Sequence, residues 1–269
     1  MRTRTRDTSE YGFAYISGLL RMESERNIAE IARHTDVDVQ NMQQFISDSP
    51  WSGRGLIDAL QDDIGFHPLF ETGSVLLVDE SSDEKSGGHS AGASRHYNGR
   101  LGKIEMSQTG VFLSLCNGTY HTWIDGELFI PKIWFTDAYA GHRKKVGIPD
   151  DRIFASKLQL AWSAIERVRE NCVPFCAVDC DSVYGRAGWF RDKLAENQLE
   201  YYADIPSNTK LYRSKKHLKL DIDTSAAQIK RLIGDNWETI TLRPSERGML
   251  KARFAALPVW TKRDDGTIS

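Results

Sequence analysis

Ser74-Val75-Leu76-Leu77-Val78-Asp79 and Cys176-Ala177-Val178-Asp179-Cys180-Asp181 each set a short apolar run against an aspartate. Runs of this length and composition, without alternation, are expected of strands buried on both faces. A carboxylate where such a strand runs out is held by the sheet and still open to solvent. Two of them on neighbouring strands would make half of a divalent-metal site. Phosphodiester chemistry suits such a site, because bound metal ions activate the nucleophile and stabilise the leaving oxygen. Oxygen ligands favour Mg²⁺, with Mn²⁺ as a substitute, over zinc. Strand alternation puts Asp179 and Asp181 on one face, so the spacing alone leaves either as the partner of Asp79. The turn-like Ser182-Val183-Tyr184-Gly185 that follows favours Asp181 at the open edge.

Working outward, residues 1–68 read as a helical domain. Phe13, Ile16 and Leu20 recur at helical spacing, as do Ile28, Ile31 and Ala32, then Val39, Met42, Phe45 and Ile46, with Leu56, Leu60 and Ile64 beyond. Two short helices around Thr35-Asp36 would form a helix-turn-helix without its usual glycine, which leaves packing or DNA binding as its role. From residue 69 to 207 the pattern is strand, strand, strand, helix, strand, helix, strand. Glu80 to His89 reads as a polar loop, Lys103 to Cys116 as a strand, and Asn117-Gly118 and Asp125-Gly126 as hairpin turns. A helix begins near Ser156 and ends at Asn171, and a strand follows from Phe175 to Val178. Ala187 to Asn197 is the next helix and Glu200 to Ile205 the next strand. An antiparallel meander joined to parallel strand-helix units is an RNase H-like mixed sheet with flanking helices. Residues 208–269 read as a partial β-rich domain with a helix from Ala226 to Ile233, closing on a hairpin signal at Asp265-Gly266.

The bulk properties exclude several classes. The 269 residues are 40% hydrophobic and 27% charged, with a formal net charge of -2, which is ordinary for a globular chain and gives no global nucleic-acid signal. No apolar run reaches the length of a membrane span. Four cysteines do not describe a disulfide scaffold, and a reducing cytoplasm is the expected compartment. Cys172, Cys176 and Cys180 lack a fourth ligand at zinc-finger spacing and read as buried core thiols. Positive charge is local: Arg2, Arg4 and Arg6, then the cluster Lys210, Arg213, Lys215, Lys216, His217 and Lys219. Lys215 and Lys216, with Arg95, His96, Tyr97, Arg100 and Lys103 after the glycine-rich loop, are the candidate DNA-contacting residues.

Several motifs in order then resemble one family. Leu76-Leu-Val-Asp-Glu80, Gly88-His-Ser-Ala-Gly-Ala-Ser-Arg-His-Tyr97, Gly102-Lys-Ile-Glu-Met-Ser-Gln-Thr-Gly-Val-Phe-Leu113, Ile124-Asp-Gly-Glu-Leu-Phe-Ile-Pro-Lys-Ile-Trp134 and Asp181-Ser-Val-Tyr-Gly185 are similar to DDE-superfamily transposases of bacterial insertion sequences. The resemblance spans roughly Tyr11 to Ser207. It implies an RNase H-like core that binds transposon ends, cuts them with Mg²⁺ and joins the 3′ ends to target DNA. It also implies a homodimer within a transposition complex and association with the bacterial nucleoid. Asp79 matches the first catalytic aspartate and Asp181 the second. The family's third acid is a glutamate on a later helix, in a Tyr-x2-Arg-x3-Glu-x6-Lys pattern. Glu246 comes nearest, but Ile240 stands at the tyrosine position, Arg243 is out of register and Pro244 disfavours a helix. The third ligand is therefore expected beyond the present C-terminus, in a truncated chain. The alternative expectation is a catalytically inactive DNA-binding transposase remnant.

Overall fold

Asn27 and Asp38 open two helices in the same way: each side-chain oxygen accepts the backbone N–H three residues on. In the computed structural model, which describes residues 7–118, 120–246 and 248–262, the chain divides into two units, Met1–Ala59 and Leu60–Ser269. The first unit contains α1 (Ser9–Arg21), α2 (Ile28–His34) and α3 (Val39–Ser47). Asp36 takes a left-handed φ of 55° in the α2–α3 turn, doing the work expected of a glycine. Tyr11, Ala14, Ile31, Ala32, Met42 and Phe45 form the core of this unit.

The expected stripe of α1 is corrected. Phe13 and Leu20 are 74% and 80% exposed, and the buried face is Tyr11, Ala14 and Gly18. The reason is close approach: a Cβ on Gly18 would lie 2.6 Å from Ile31 Cγ2. The glycine side of the helix can reach α2, and the face with the larger side chains cannot.

α4 (Gly53–Gly65) crosses the division, and the second unit is then built on one sheet. Its strands are β1 (Val75–Glu84), β2 (Ser94–Asn98), β3 (Lys103–Asn117) and β4 (Tyr120–Phe129). After α5 (Ala140–Lys145) and α6 (Lys157–Glu170) come β5 (Ala177–Cys180), α7 (Ser182–Gly185), α8 (Gly188–Glu196) and β6 (Glu200–Ala203). β1 pairs antiparallel with β3 and parallel with β5, and β5 pairs parallel with β6. β4 and β2 share the other edge of β3, β2 at its start and β4 along the rest. The meander followed by parallel strands is the expected RNase H-like order. Ser156 caps α6 through a capping box with Gln159.

Two expectations fail inside the meander. Glu80 to Glu84 is strand, not loop, because β3 continues alongside it as far as the Glu84–Ser107 pair. The Ser82 and Thr109 hydroxyls bond at 2.8 Å across that pairing. Polarity here marked a strand, not a turn. Asp125-Gly126 likewise lies within β4, where the register shifts opposite Leu113 and Ser114 and makes Ile124 the extra residue of a bulge. Gly126 is needed because the Phe112 ring lies against it: a Cβ there would come within 2.6 Å of the ring.

Alternation gives the sheet two unlike faces. Leu76, Val78, Leu113, Leu115 and Val178 pack against α6 and α8 through Leu160, Ile165, Val168, Phe190 and Leu194. Each such side chain contributes roughly 1.5–3 kcal/mol of burial. The opposite face carries Leu77, Asp79, Phe112 and Asp179, with Trp123 and Tyr202 more than half exposed.

Residues after 207 form smaller pieces: β7 (Lys210–Leu211) with β8 (Thr224–Ser225), α9 (Lys215–Lys219), α10 (Ala226–Leu232), and a hairpin of β9 (Glu238–Ser245) and β10 (Gly248–Phe254). The terminal hairpin signal at Asp265-Gly266 lies outside the described residues, as do Arg2, Arg4 and Arg6.

Candidate active site

Val78 and Cys180 are the last parallel pair between β1 and β5. Asp79 and Asp181 each follow that pair by one residue. The strand-end reading of Asp79 thus holds only on the β5 side; on the other side Asp79 still pairs with Phe112 of β3. β1 outruns β5, and the step between them is where the two aspartates stand. Adjacent strands lie about 4.8 Å apart, so residues at one level on such strands are neighbours.

Local bonds hold both side chains. Asp79 Oδ1 accepts the Glu80 backbone N–H at 2.7 Å. Asp181 Oδ1 accepts the Val183 N–H at 2.8 Å and so caps α7, while its carbonyl accepts the Gly185 N–H. Gly185 permits this tight turn beside β6, since a Cβ there would lie 2.0 Å from the Asp204 carbonyl oxygen. Both aspartates are exposed, and among the described residues neither enters an ion pair.

Asp79, Asp179 and Asp181 line one cleft of about 350 Å³, whose walls include Phe112, Trp123 and Cys180. Asp179 lies level with Leu77, two residues before Asp79. Burial, and then the charge of Asp204, raise its pKa above the ordinary carboxylate value. Cys180 is pushed up to about 12 by burial first and then by Asp179, Asp181 and Asp204. Such a thiol is neither nucleophile nor ready ligand. Of the three cysteines expected in the core only Cys180 is buried; Cys172 and Cys176 are exposed at the ends of the α6–β5 loop.

Tyr184 and Asp204 did not stand out in the sequence. Tyr184 is fully buried beneath the step, and its hydroxyl makes no hydrogen bond. Burial, followed by the charges of Glu80, Asp181 and Asp79, makes that phenol harder to ionise. Tyrosine after a strand-end acid was the available signal, but only the fold turns it inward.

The candidate DNA-contacting residues fall in three places. Arg95, His96 and Tyr97 sit on β2, not on a loop, and line a second cleft with Glu80 and Lys157. Arg100 lies in the β2–β3 turn, and Lys103 opens β3, where it pairs with Glu105 at 3.2 Å. Lys215 and Lys216 are exposed on α9. Glu246 lies in the turn after β9, not on a helix. Among the described residues no three His, Cys, Asp or Glu side chains group to hold a metal.

A family model described as DDE superfamily endonuclease matches residues 2–235. This chain belongs to that family. The family is one of endonucleases, which generally use divalent metal ions. Among curated relatives it is 27% identical, over 190 residues, to the "Probable transposase for insertion sequence element IS701" of Microchaete diplosiphon. That alignment covers 68% of this chain and 45% of the relative, so the chain spans less than half of the relative's length. A solved structure, the "Drosophila P element transposase strand transfer complex", aligns with 86% of this chain and 50% of its own at 10% identity, with a TM-score of 0.36. No helix among the described residues is long and apolar enough to cross a membrane.

Proposed function

We propose that the second unit is the DNA-cutting core of an insertion-sequence transposase, with Asp79 and Asp181 as its first two catalytic carboxylates. The observation that carries this reading is their shared level, one residue past the last β1–β5 pair, with no counter-cation for either among the described residues. The donor set fits a hard divalent ion: two carboxylates, each with one oxygen fixed by a backbone N–H and the other left to the cleft. Mg²⁺ or Mn²⁺ held there would supply Lewis-acid activation of water or of a DNA 3′-hydroxyl. The chain's own part is to fix the carboxylates, with β3 setting Asp79 and the α7 turn setting Asp181. Phe112 and Trp123 form an apolar wall beside them. Transposon ends and target DNA are the proposed substrates, and the acting form is a homodimer on the two ends.

Mn²⁺ binding followed by electron paramagnetic resonance tests this reading. Asp79→Asn and Asp181→Asn should each abolish it, while Asp179→Asn should retain most of it. Undiminished binding in the first two variants would overturn the assignment. A second reading, a DNA-binding remnant without catalysis, is favoured by the absence of a third metal-ligating group among the described residues. Nicking of supercoiled plasmid separates the two: metal-dependent nicking lost in Asp79→Asn excludes the remnant, and DNA binding without nicking supports it.

A further inference from the structure

A third cleft, of about 620 Å³, lies among the small elements after residue 207. Its described lining is Ala227, Lys230, Arg231, Trp237 and Arg253: three cations, one aromatic ring and no carboxylate. The sequence of α10 explains the first three. Ser225 opens the helix through a capping box with Gln228, and Ile229 is its buried residue. Ala227, Lys230 and Arg231 stand three and four residues apart, so they share one stripe of the helix. β10 supplies the remaining cation. Arg253 pairs with Thr239 and Lys251 with Thr241, which puts the two basic residues on one face of the hairpin. Glu238 pairs with Phe254 and therefore lies on the other face. The Arg253 guanidinium sits 5.6 Å from the centre of the Trp237 ring. Stacking uses the flat side of a guanidinium and leaves its in-plane N–H donors for a ligand. Among the described residues none of Lys230, Arg231, Lys251 and Arg253 enters an ion pair. Trp237 and Arg253 lie past residue 235, where the family match ends, so the cleft is assigned on this chain's own geometry.

Cations in the last turn of a short helix would by themselves only complement its dipole. Here a strand from another part of the chain adds a third cation to the same cleft, and no acid answers any of them. Small-molecule sites are mostly apolar with a few polar groups, which is not this lining. Unpaired cations suit phosphodiester oxygens, which arginine binds through two parallel donors. No amide side chain that could read a base edge lines the cleft among the described residues, so the contact is with the backbone. We infer that this cleft grips the phosphate backbone of duplex DNA, outside the cleft of Asp79 and Asp181. The inference rests on the proposed DNA substrate and adds to it where the backbone is held.

The test is the anisotropy of a fluorescein-labelled duplex titrated with the whole chain over a range of salt. Lys230→Gln, Arg231→Gln and Arg253→Gln should each lower the slope of log affinity against log salt by about 0.9. Lys193→Gln removes the same charge from an exposed position on α8 and should keep the parental slope. Arg253→Lys keeps the charge but not the stack on Trp237. Its slope should be parental and its affinity lower by roughly two- to fivefold, the worth of an exposed cation–π contact. Parental slopes in all three glutamine variants, with duplex binding intact, would overturn this site and leave the endonuclease reading standing. Isothermal titration with inorganic phosphate separates the two sources of the anion. Phosphate binding by the parent that the glutamine variants lose, while their duplex slopes stay parental, would make this a free-phosphate site and overturn the DNA assignment. A parent that binds no duplex at any salt would overturn both the site and the proposed DNA substrate.

Discussion

Two sets of carboxylates, one on each face of the same sheet, are treated in opposite ways. Asp125, on the covered face, has a fully buried side chain. Arg167 of α6 grips both its oxygens, at 3.1 and 3.2 Å, and Gln61, itself fully buried and bonded to Asn171, adds a third contact. Asp79 and Asp181, at the step, receive backbone N–H groups and, among the described residues, no cation. The same functional group is therefore a lock in one place and, in the function proposed above, an open donor set in the other. On that proposal the chain supplies the positive charge itself at Asp125, and metal and DNA would bring it at Asp79 and Asp181.

The largest effect should come from breaking the lock. Arg167→Met leaves Asp125 charged and buried, which should cost about 3–5 kcal/mol in urea denaturation. Gly185→Ala attacks the open site's scaffold. The methyl must displace the Asp204 backbone, and a loss of roughly 1–3 kcal/mol is expected in the same titration. A pH effect follows next. The Cys180 thiol keeps its proton to about pH 12 when folded but loses it near pH 9.0 when unfolded. Its stabilising contribution is complete below pH 9.0 and falls as pH rises through that window, by up to about 1.4 kcal/mol per pH unit. Tyr184 acts with the same sign. Cys180→Ala should flatten the alkaline limb of stability against pH, and an unchanged limb would count against the burial of this thiol. The smallest change belongs to the open set: Asp79→Asn and Asp181→Asn should leave stability within about 0.5 kcal/mol of the parent. Asparagine caps a helix about as well as aspartate, so α7 should survive. If either variant lost as much as Arg167→Met, the contrast between the two faces would collapse.

Much of this contrast was legible in the residues. Apolar runs ending in Asp79 and Asp181 announced strands with acids at their ends, and a helix beginning near Ser156 was expected between them. Asp125 was misread because Asp-Gly is a strong turn signal, whereas here the glycine accommodates a Phe112 ring from the neighbouring strand. Cross-strand contacts of that kind have no local signature. The same limit hid the choice of face on α1, set by Ile31 against Gly18, and the inward turn of Tyr184. Periodicity left Asp179 and Asp181 open and the Ser182–Gly185 turn favoured Asp181; the pairing register, which periodicity does not contain, adds that Asp181 follows the Val78–Cys180 pair as Asp79 does.

That register has a genetic consequence. Ten consecutive pairs tie β1 to β3, and Asp79 is the fifth of them. Losing a single codon upstream in β1 would slide every later side chain to the opposite face of the sheet. Asp79 would then be driven into the apolar layer under α6, and Glu80 would take its place at the step. Evolution can exchange individual side chains around this site with modest effect, but in-frame insertions and deletions within β1 would be eliminated.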